Sequence, residues 1–165
     1  MKTKRLMAAI LAVMMLVSTF AFSASAANTT DTNFEIHMSS PGAVSSSTYA
    51  ARVKQNASST YINYQTRVGG GSASGPRQFE AQIWGYYSNT PSKFTDCSSV
   101  SYTTGLSRAK SIITLGTYGL MKQDVYERYG YNSYAQIYGA MISESGIALG
   151  CWSPDSVNYG YSYYN

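Results

Sequence analysis

The sequence predicts an all-β fold, a single antiparallel β-sandwich or barrel-like domain, and three observations support it. Several short segments alternate apolar and polar side chains, which is typical of strands with one buried face. All 16 tyrosines lie after residue 26, where only four leucines remain, and this balance favours strands over helices. Turn-forming residues separate the segments at regular spacing, as they do in sandwiches and barrels.

The first half of the chain contains three predicted strands. Residues 33–38 alternate so that their apolar side chains share one face. Residues 46–54 and 60–68 are predicted to pair as a hairpin around a turn at residues 55–58. Residues 69–76 are rich in glycine and end in proline, so they predict a flexible loop.

The second half of the chain contains four further predicted strands and a short helix. The strands are expected at residues 79–87, 111–115, 134–142 and 146–152. The spacing of Met121, Val125 and Tyr129 predicts one or two helical turns near residues 120–129, although tight turns would also suit this segment. The tail at residues 158–165 either pairs as an edge strand or is loose.

The N-terminus has the three parts of a secretory signal. A basic start is followed by an apolar run over residues 6–17 and then by Ala24-Ser25-Ala26. We expect residues 1–26 to be a cleavable signal peptide and residues 27–165 to be a secreted β domain with no integral membrane span after processing. An uncleaved membrane anchor is the alternative.

Charge argues against a nucleic-acid partner. Three of the 12 basic residues lie in the predicted signal peptide, so the mature chain keeps nine basic and eight acidic side chains. The resulting charge of +1 gives no strongly basic surface for an anionic polymer. No nucleic acid is therefore expected among the partners.

The two cysteines are predicted to form a disulfide. Cys97 and Cys151 both lie after the signal peptide, and export would place them in an oxidising compartment. On the chain-entropy model, closing a loop of this length stabilises a fold by about 4 kcal/mol. Two free thiols are the alternative.

The chain offers little for catalysis. His37 is the only histidine, and a surface position is a commoner role for it than a place in a catalytic triad. We therefore expect no catalytic residue, no metal site and no cofactor. A glycosidase-like pair of carboxylates is the alternative, although two of its candidates are also ordinary turn formers. The candidates for such a pair are Asp96, Glu127, Glu144 and Asp155.

Aromatic side chains are the strongest candidates for a binding surface, because a core of this size cannot enclose 16 phenols. Exposed tyrosine and tryptophan supply rigid contact area for sugars, lipid headgroups or proteins. Cross-strand pairs that only stabilise a sheet are the alternative, and Trp152 would equally suit a place in the core beside the disulfide. The candidate surface consists of Trp84, Tyr86, Tyr87, Tyr138 and Trp152.

The last 40 or so residues resemble a known group of proteins. The segments Val125 to Tyr131, Ala135 to Gly139 and Gly150 to Ser156 resemble small secreted proteins of Gram-positive bacteria that end in Trp-Ser-Pro-Asp-Ser. Some of these proteins are similar to bacteriocins of the lactococcin type. The resemblance implies an exported sandwich protein and carries over no catalytic residue.

Together these observations lead us to expect a secreted, envelope-directed protein that acts by binding, in the manner of a bacteriocin-like antagonist. A glycan- or surface-binding module is the first alternative, and a hydrolase is the second. The expected location is extracellular or at the cell wall. The expected partner is an envelope component, either a glycan or a lipid headgroup.

Overall fold

The computed structural model describes residues 28–69, 74–98 and 111–164. The predicted signal peptide and part of the predicted glycine loop lie outside these ranges. Ten strands are described: β1 (Thr32–Met38), β2 (Val44–Ser46), β3 (Arg52–Lys54), β4 (Thr60–Gly69), β5 (Gln78–Tyr86), β6 (Thr95–Asp96), β7 (Ser111–Thr114), β8 (Tyr118–Met121), β9 (Ser133–Met141) and β10 (Gly146–Ser153). A 3-10 turn covers Pro91–Lys93, and one short helix, α1, covers Val125–Tyr129.

The strands form two antiparallel sheets, which confirms the predicted all-β fold. Sheet A has the order β1-β10-β4-β8. Sheet B has the order β2-β9-β5-β6, with β3 also paired to β9 and β7 also paired to β5. The described residues contain no helix that is long and apolar enough to cross a membrane.

The core lies between the two sheets, because alternation turns one side of each central strand inward. Phe34 of β1 and Tyr64 of β4 both meet Phe79 of β5, at ring-centroid distances of 6.0 and 5.2 Å. The Tyr64 hydroxyl donates to the Pro76 carbonyl, which satisfies the phenol inside the core. The predicted apolar face of residues 33–38 is therefore confirmed as an inward face.

The predicted hairpin of residues 46–54 and 60–68 is wrong. The first segment is two short strands, β2 and β3, which both pair with β9 of sheet B. The second segment is β4, which pairs with β10 and β8 of sheet A. Alternation shows which side of a strand is buried but does not determine which strand lies beside it.

The helix prediction is confirmed only in its second half. Residues 118–121 form β8, and α1 begins at Val125. Val125 packs against Gly85 of sheet B so closely that a Cβ at Gly85 would lie 2.6 Å from a Val125 methyl group. A glycine in β5 thus makes room for the helix.

The C-terminal tail pairs with sheet A rather than hanging loose. The Leu120 amide of β8 donates to the Ser162 carbonyl at 2.9 Å, and the Tyr164 amide donates back to the Leu120 carbonyl at 2.9 Å. Tyr164 packs against the core. The tail therefore covers the free edge of β8, where unpaired backbone groups would otherwise be exposed.

Candidate functional site

The outer face of sheet B carries three of the five predicted aromatic side chains, and a fourth lies directly beyond it. Trp84 and Tyr86 are two residues apart on β5, so they point to the same side about 7 Å apart. Tyr138 lies on the neighbouring strand β9, opposite Gln82. Tyr87 follows the end of β5. We call Trp84, Tyr86, Tyr87 and Tyr138 the Trp84 face.

Trp84 and Tyr138 form a stacked pair across β5 and β9. Their ring centroids are 4.6 Å apart and their planes differ by 18°. Both side chains are only partly buried, and burial raises the pKa of the Tyr138 phenol. The pair therefore presents ordered aromatic surface to solvent and keeps the phenol neutral.

A ladder of hydrogen bonds along β5 fixes the indole of Trp84. Its Nε1 donates to Gln82 Oε1 at 2.8 Å, and Gln82 Nε2 donates to Glu80 Oε1 at 3.0 Å. Gln82 is nearly fully buried, so it has little freedom to turn away. The ring is thus held in one orientation before any ligand arrives, which reduces the entropy lost on binding.

The second part of the Trp84 face lies where β5 ends. The Tyr86 and Tyr87 ring centroids are 4.2 Å apart, and the Tyr129 ring of α1 lies 5.4 Å from that of Tyr86, with 62° between the planes. The Tyr129 hydroxyl is 2.6 Å from the Thr95 hydroxyl. Lys93 Nζ lies 6.0 Å from the Tyr86 ring centre, at the outer limit for a cation–π contact. Tyr87 is the most accessible member, at 59% exposed.

Trp152 does not belong to this surface. Its side chain is 1% exposed and sits in the core cluster. It lies on β10 of sheet A, opposite Thr32 and Ile62. The alternative role, an anchor in the core, is the one that the structure supports, and the binding role predicted for Trp152 is wrong.

The predicted disulfide is also wrong, because Cys97 and Cys151 are both free thiols. Cys97 is fully buried in the core, whereas Cys151 alternates with the inward-facing Trp152 and therefore lies on the outer side of sheet A. The sheet separates the two side chains, and a disulfide needs Cβ atoms about 4 Å apart. Burial raises the pKa of the Cys97 thiol to about 11 and raises that of Cys151 as well.

A buried ion pair, which the sequence did not indicate, joins β3 to the end of β10. Lys54 Nζ lies 2.8 Å from Asp155 Oδ1, and both side chains are 0% exposed. The ammonium also donates to the carbonyl oxygens of Ser58 at 2.6 Å and Pro154 at 2.7 Å. Burial lowers the pKa of Lys54, while the hydrogen bond to Asp155 acts in the opposite direction. We call this pair the Lys54–Asp155 anchor.

The anchor explains the structural role of the Trp-Ser-Pro-Asp-Ser segment. Asp155 Oδ2 accepts hydrogen bonds from the Asn28 amide at 2.8 Å and the Gln55 amide at 3.0 Å. Ser156 donates through its hydroxyl to the Ser59 carbonyl at 2.7 Å. With Trp152 in the core, the segment fixes the end of β10 to the turn before β4. Asp155 is therefore more than the local turn former that its sequence context suggested.

The candidate catalytic groups do not converge on a cleft. His37 is exposed and its Nε2 lies 2.6 Å from Glu35 Oε1. Asp155 is fully buried within the anchor. Glu144 lies near Arg67, at 3.5 Å between charged atoms. Across the described ranges, no three His, Cys, Asp or Glu side chains are grouped so as to hold a metal ion.

The remaining two carboxylates lie close to α1. Glu127 is in the helix, and Asp96 lies on β6, where its Oδ1 accepts the Ser98 amide at 2.9 Å. Arg128 donates to the Asp96 carbonyl at 3.2 Å and pairs with Asp124 at 2.7 Å. Asp96 thus has the Asx-turn geometry that its sequence context suggested.

A second aromatic cluster lies on the outer face of sheet A. Tyr161 of the tail is central: its ring centre is 5.2 Å from that of Tyr61, 5.7 Å from that of Tyr118 and 6.3 Å from that of Tyr159. We call these four side chains the Tyr161 cluster. Sequence reasoning missed it because no periodicity shows that the tail returns to β4 and β8.

Comparison with known proteins places the chain in one family. Residues 19–156 match the DUF2712 family, described as a protein of unknown function. The match ends at Ser156, at the close of the Trp-Ser-Pro-Asp-Ser segment, and includes every member of the Trp84 face. No curated protein and no solved structure matches the chain. Because the match covers most of its length, the chain belongs to the DUF2712 family.

Proposed function

We propose that this protein is secreted and acts at a bacterial cell envelope by binding, with the Trp84 face as its contact surface. The observation that carries this proposal is the stacked, partly exposed pair of Trp84 and Tyr138, whose indole is fixed by hydrogen bonds along β5. We propose the sugar rings of an envelope glycan as the ligand. A lipid headgroup is the alternative ligand.

The chemistry of the Trp84 face suits a sugar. Aromatic rings cover the apolar C–H faces of sugars, while neighbouring amides and carboxylates can accept or donate hydrogen bonds at the rim. Glu80 lies on the same side of β5 as Trp84 and is only partly buried, so it is the carboxylate that can serve at this rim. Each well-placed stack contributes about 1 kcal/mol, so affinity requires several rings. Trp84, Tyr86 and Tyr87 provide such a row.

Secretion is supported by the N-terminal sequence, with its basic start, apolar run and Ala24-Ser25-Ala26. The nearly balanced charge of residues 27–165 favours recognition that does not depend on an anionic surface. Binding is therefore expected to persist at moderate salt.

Antagonism of other bacteria is the more specific form of this proposal, and it rests on the resemblance to lactococcin-like proteins. The shared Trp-Ser-Pro-Asp-Ser segment is largely internal here: Trp152 packs in the core and Asp155 belongs to the anchor. The segment thus supports a common architecture rather than a common target. Growth inhibition of related strains is the direct test of antagonism.

The binding proposal is tested by co-sedimentation of the purified protein with Gram-positive cell walls, isolated envelope glycans and lipid vesicles. We expect binding to walls and glycans, and we expect Trp84→Ala to weaken it about tenfold, since one lost stack and its ordered neighbour are worth about 1.4 kcal/mol. Tyr87→Ala should weaken it less. Tyr131→Ala is the matched control, because Tyr131 is similarly exposed at 56% and lies outside the Trp84 face.

Three results would contradict the proposal. The first is absence of binding to walls, glycans and vesicles. The second is binding that Trp84→Ala leaves unchanged. Turnover of a glycosidic or peptide substrate that is lost on replacing His37 or one carboxylate would favour the hydrolase instead.

A further inference from the structure

A groove on the outer side of sheet A is distinct from the Trp84 face. Its volume is about 260 Å³, and it lies where Tyr61 of β4 pairs with Ser153 of β10. Tyr159 and Tyr161 of the tail form further walls, and Asp31 lies at its edge. A neighbouring groove of about 500 Å³ shares Tyr159 and Tyr161 and adds Tyr118.

The rings of this groove are inclined to one another, as the walls of an aromatic cage are. Tyr159 and Tyr161 are nearly perpendicular, at 87°, and Tyr61 is tilted by 41° to Tyr161. Tyr159 is 77% exposed, so a ligand in solution can reach its ring. The face of an aromatic ring carries the negative side of its quadrupole, so a groove lined by several rings favours a cation.

Charge at the groove also favours a cation. Among the described residues that line it, Asp31 alone has a charged side chain. Burial together with negative neighbours raises the pKa of the Tyr61 phenol to about 12. Within the described part of the chain, Asp31 Oδ2 accepts a long, weak hydrogen bond from the Cys151 thiol, at 3.7 Å.

Among the residues that the structure describes, one basic side chain lies near enough to compete for Asp31. The Arg52 guanidinium interacts electrostatically with Asp31 but directs its hydrogen bonds elsewhere, to the Thr30 carbonyl, the Thr32 hydroxyl and the Asn28 side chain. Arg52 is absent from the groove lining. The Asp31 carboxylate is therefore available to a bound cation.

We propose that the groove of Tyr61, Tyr159, Tyr161 and Asp31 binds a small organic cation carrying a quaternary ammonium group, of the choline type. Such groups are recognised by aromatic rings that meet at an angle, with a carboxylate nearby. The groove is large enough for a trimethylammonium group and its short alcohol arm. This site is separate from the Trp84 face, so its test does not depend on whether the Trp84 face binds a glycan.

Isothermal titration calorimetry of the purified protein with choline tests the site. The matched ligand is the uncharged isostere in which carbon replaces the nitrogen of choline. We expect saturable binding of choline and at least about tenfold weaker binding of the isostere, because only the cation gains from the ring quadrupoles and Asp31. Phosphatidylcholine vesicles provide a second arm, since the same group occurs on a lipid headgroup.

Variants separate a cage from a merely apolar groove. Asp31→Asn keeps the shape and removes the charge, and it should weaken choline binding about threefold or more. Tyr159→Ala removes one wall of the groove. Among the ring pairs described, Tyr159 contacts only Tyr161, so the fold should be kept. Choline binding should fall about tenfold. Tyr131→Ala should bind choline as the wild type does.

Each outcome is decisive. Binding of free choline but not of vesicles supports the site and assigns it to a soluble or polymer-linked ligand, whereas vesicle binding lost in Asp31→Asn supports a lipid headgroup. Equal affinity for choline and its uncharged isostere overturns the proposal. So does absence of saturable binding to either source, or an affinity that Tyr159→Ala leaves unchanged.

Discussion

The two outer faces of the sandwich both carry tyrosine, but they are held in place by different means. The Trp84 face stands mainly on β5 and β9, which pair along most of their length, and its indole is fixed by Gln82. The Tyr161 cluster depends on a tail that joins sheet A through two backbone hydrogen bonds to Leu120. The Trp84 face is therefore held by long strand pairing, whereas the Tyr161 cluster depends on a tail with few backbone hydrogen bonds to the sheet.

The difference implies that the two surfaces can be lost separately. Removing the tail should leave β5, β9 and the stacked pair intact, because the tail makes its described contacts with sheet A. Loss of the Lys54–Asp155 anchor should affect the whole domain, because the anchor joins β3 of sheet B to the end of β10 in sheet A. The following variants use this distinction.

The largest effect is expected from Asp155→Asn. The amide leaves the fully buried Lys54 ammonium without its counter-ion, and breaking a buried pair in this way costs about 3–5 kcal/mol in the free energy of unfolding. Urea unfolding monitored by fluorescence measures the change. Glu144→Gln is the matched control, because the Glu144 side chain is 42% exposed and its Oε2 lies 3.5 Å from Arg67, so we expect a loss of less than about 1 kcal/mol. Equal losses in the two variants would contradict the role of the anchor.

Gly119→Ala should detach the tail at a smaller cost. A Cβ at this position would lie 2.8 Å from the Ser162 carbonyl oxygen and 3.1 Å from the Tyr164 ring, so the tail must move. We expect a loss of about 1–3 kcal/mol in the free energy of unfolding, loss of choline binding and unchanged wall binding. Limited proteolysis should cut the tail faster.

Gly42→Ala is the control for this experiment. It has a positive φ of 76° but open space around its Cβ, so it should cost about 1 kcal/mol and leave the tail protected. A tail in Gly119→Ala that resists proteolysis as well as the wild type would show that the contact with β8 is dispensable.

A double-mutant cycle measures the order within the Trp84 face. Stacked aromatic pairs have coupling energies of about 0.5–1.5 kcal/mol, and we expect a value in this range for Trp84→Ala combined with Tyr138→Ala. The free energies of unfolding of the wild type, the two single variants and the double variant supply the cycle. Strict additivity would mean that the two rings do not stabilise one another.

The smallest effect is expected from alkylation of the two thiols, which requires no substitution. In the folded protein, iodoacetamide should modify Cys151 first and Cys97 only on unfolding, because Cys97 is buried and its pKa is raised to about 11. Neither thiol should react quickly, since the pKa of Cys151 is raised too. Mass spectrometry after alkylation in denaturant should show both cysteines modified. An unmodified pair joined by a disulfide would contradict the described fold.

Sequence periodicity predicted the strands but not their partners. Residues 33–38, 79–87, 134–142 and 146–152 alternate clearly, and each corresponds closely to an observed strand. The hairpin around residues 55–58 failed because this segment instead carries the chain from sheet B to sheet A. Pairing between strands distant in sequence depends on packing that local pattern does not contain.

The candidate site was likewise predictable where it depends on local alternation and not where it depends on contacts between distant segments. Trp84, Tyr86 and Tyr138 could be found because they occupy outward positions of regular strands. The ion pair of Lys54 and Asp155 spans 101 residues, and a lysine in a short strand is usually exposed, so its full burial gave no local signal. The disulfide prediction relied on compartment and count alone, which do not reveal on which side of a sheet each thiol lies.

The central claim is that the Trp84 face binds an envelope glycan, and the two tryptophans allow a direct test by NMR. Trp84 lies on the face and Trp152 in the core, so their indole N–H resonances act as probe and internal reference. Titration with soluble fragments of Gram-positive cell-wall glycan should shift the Trp84 indole resonance saturably and leave that of Trp152 in place. A saturable titration in which the Trp84 resonance does not move would contradict the account.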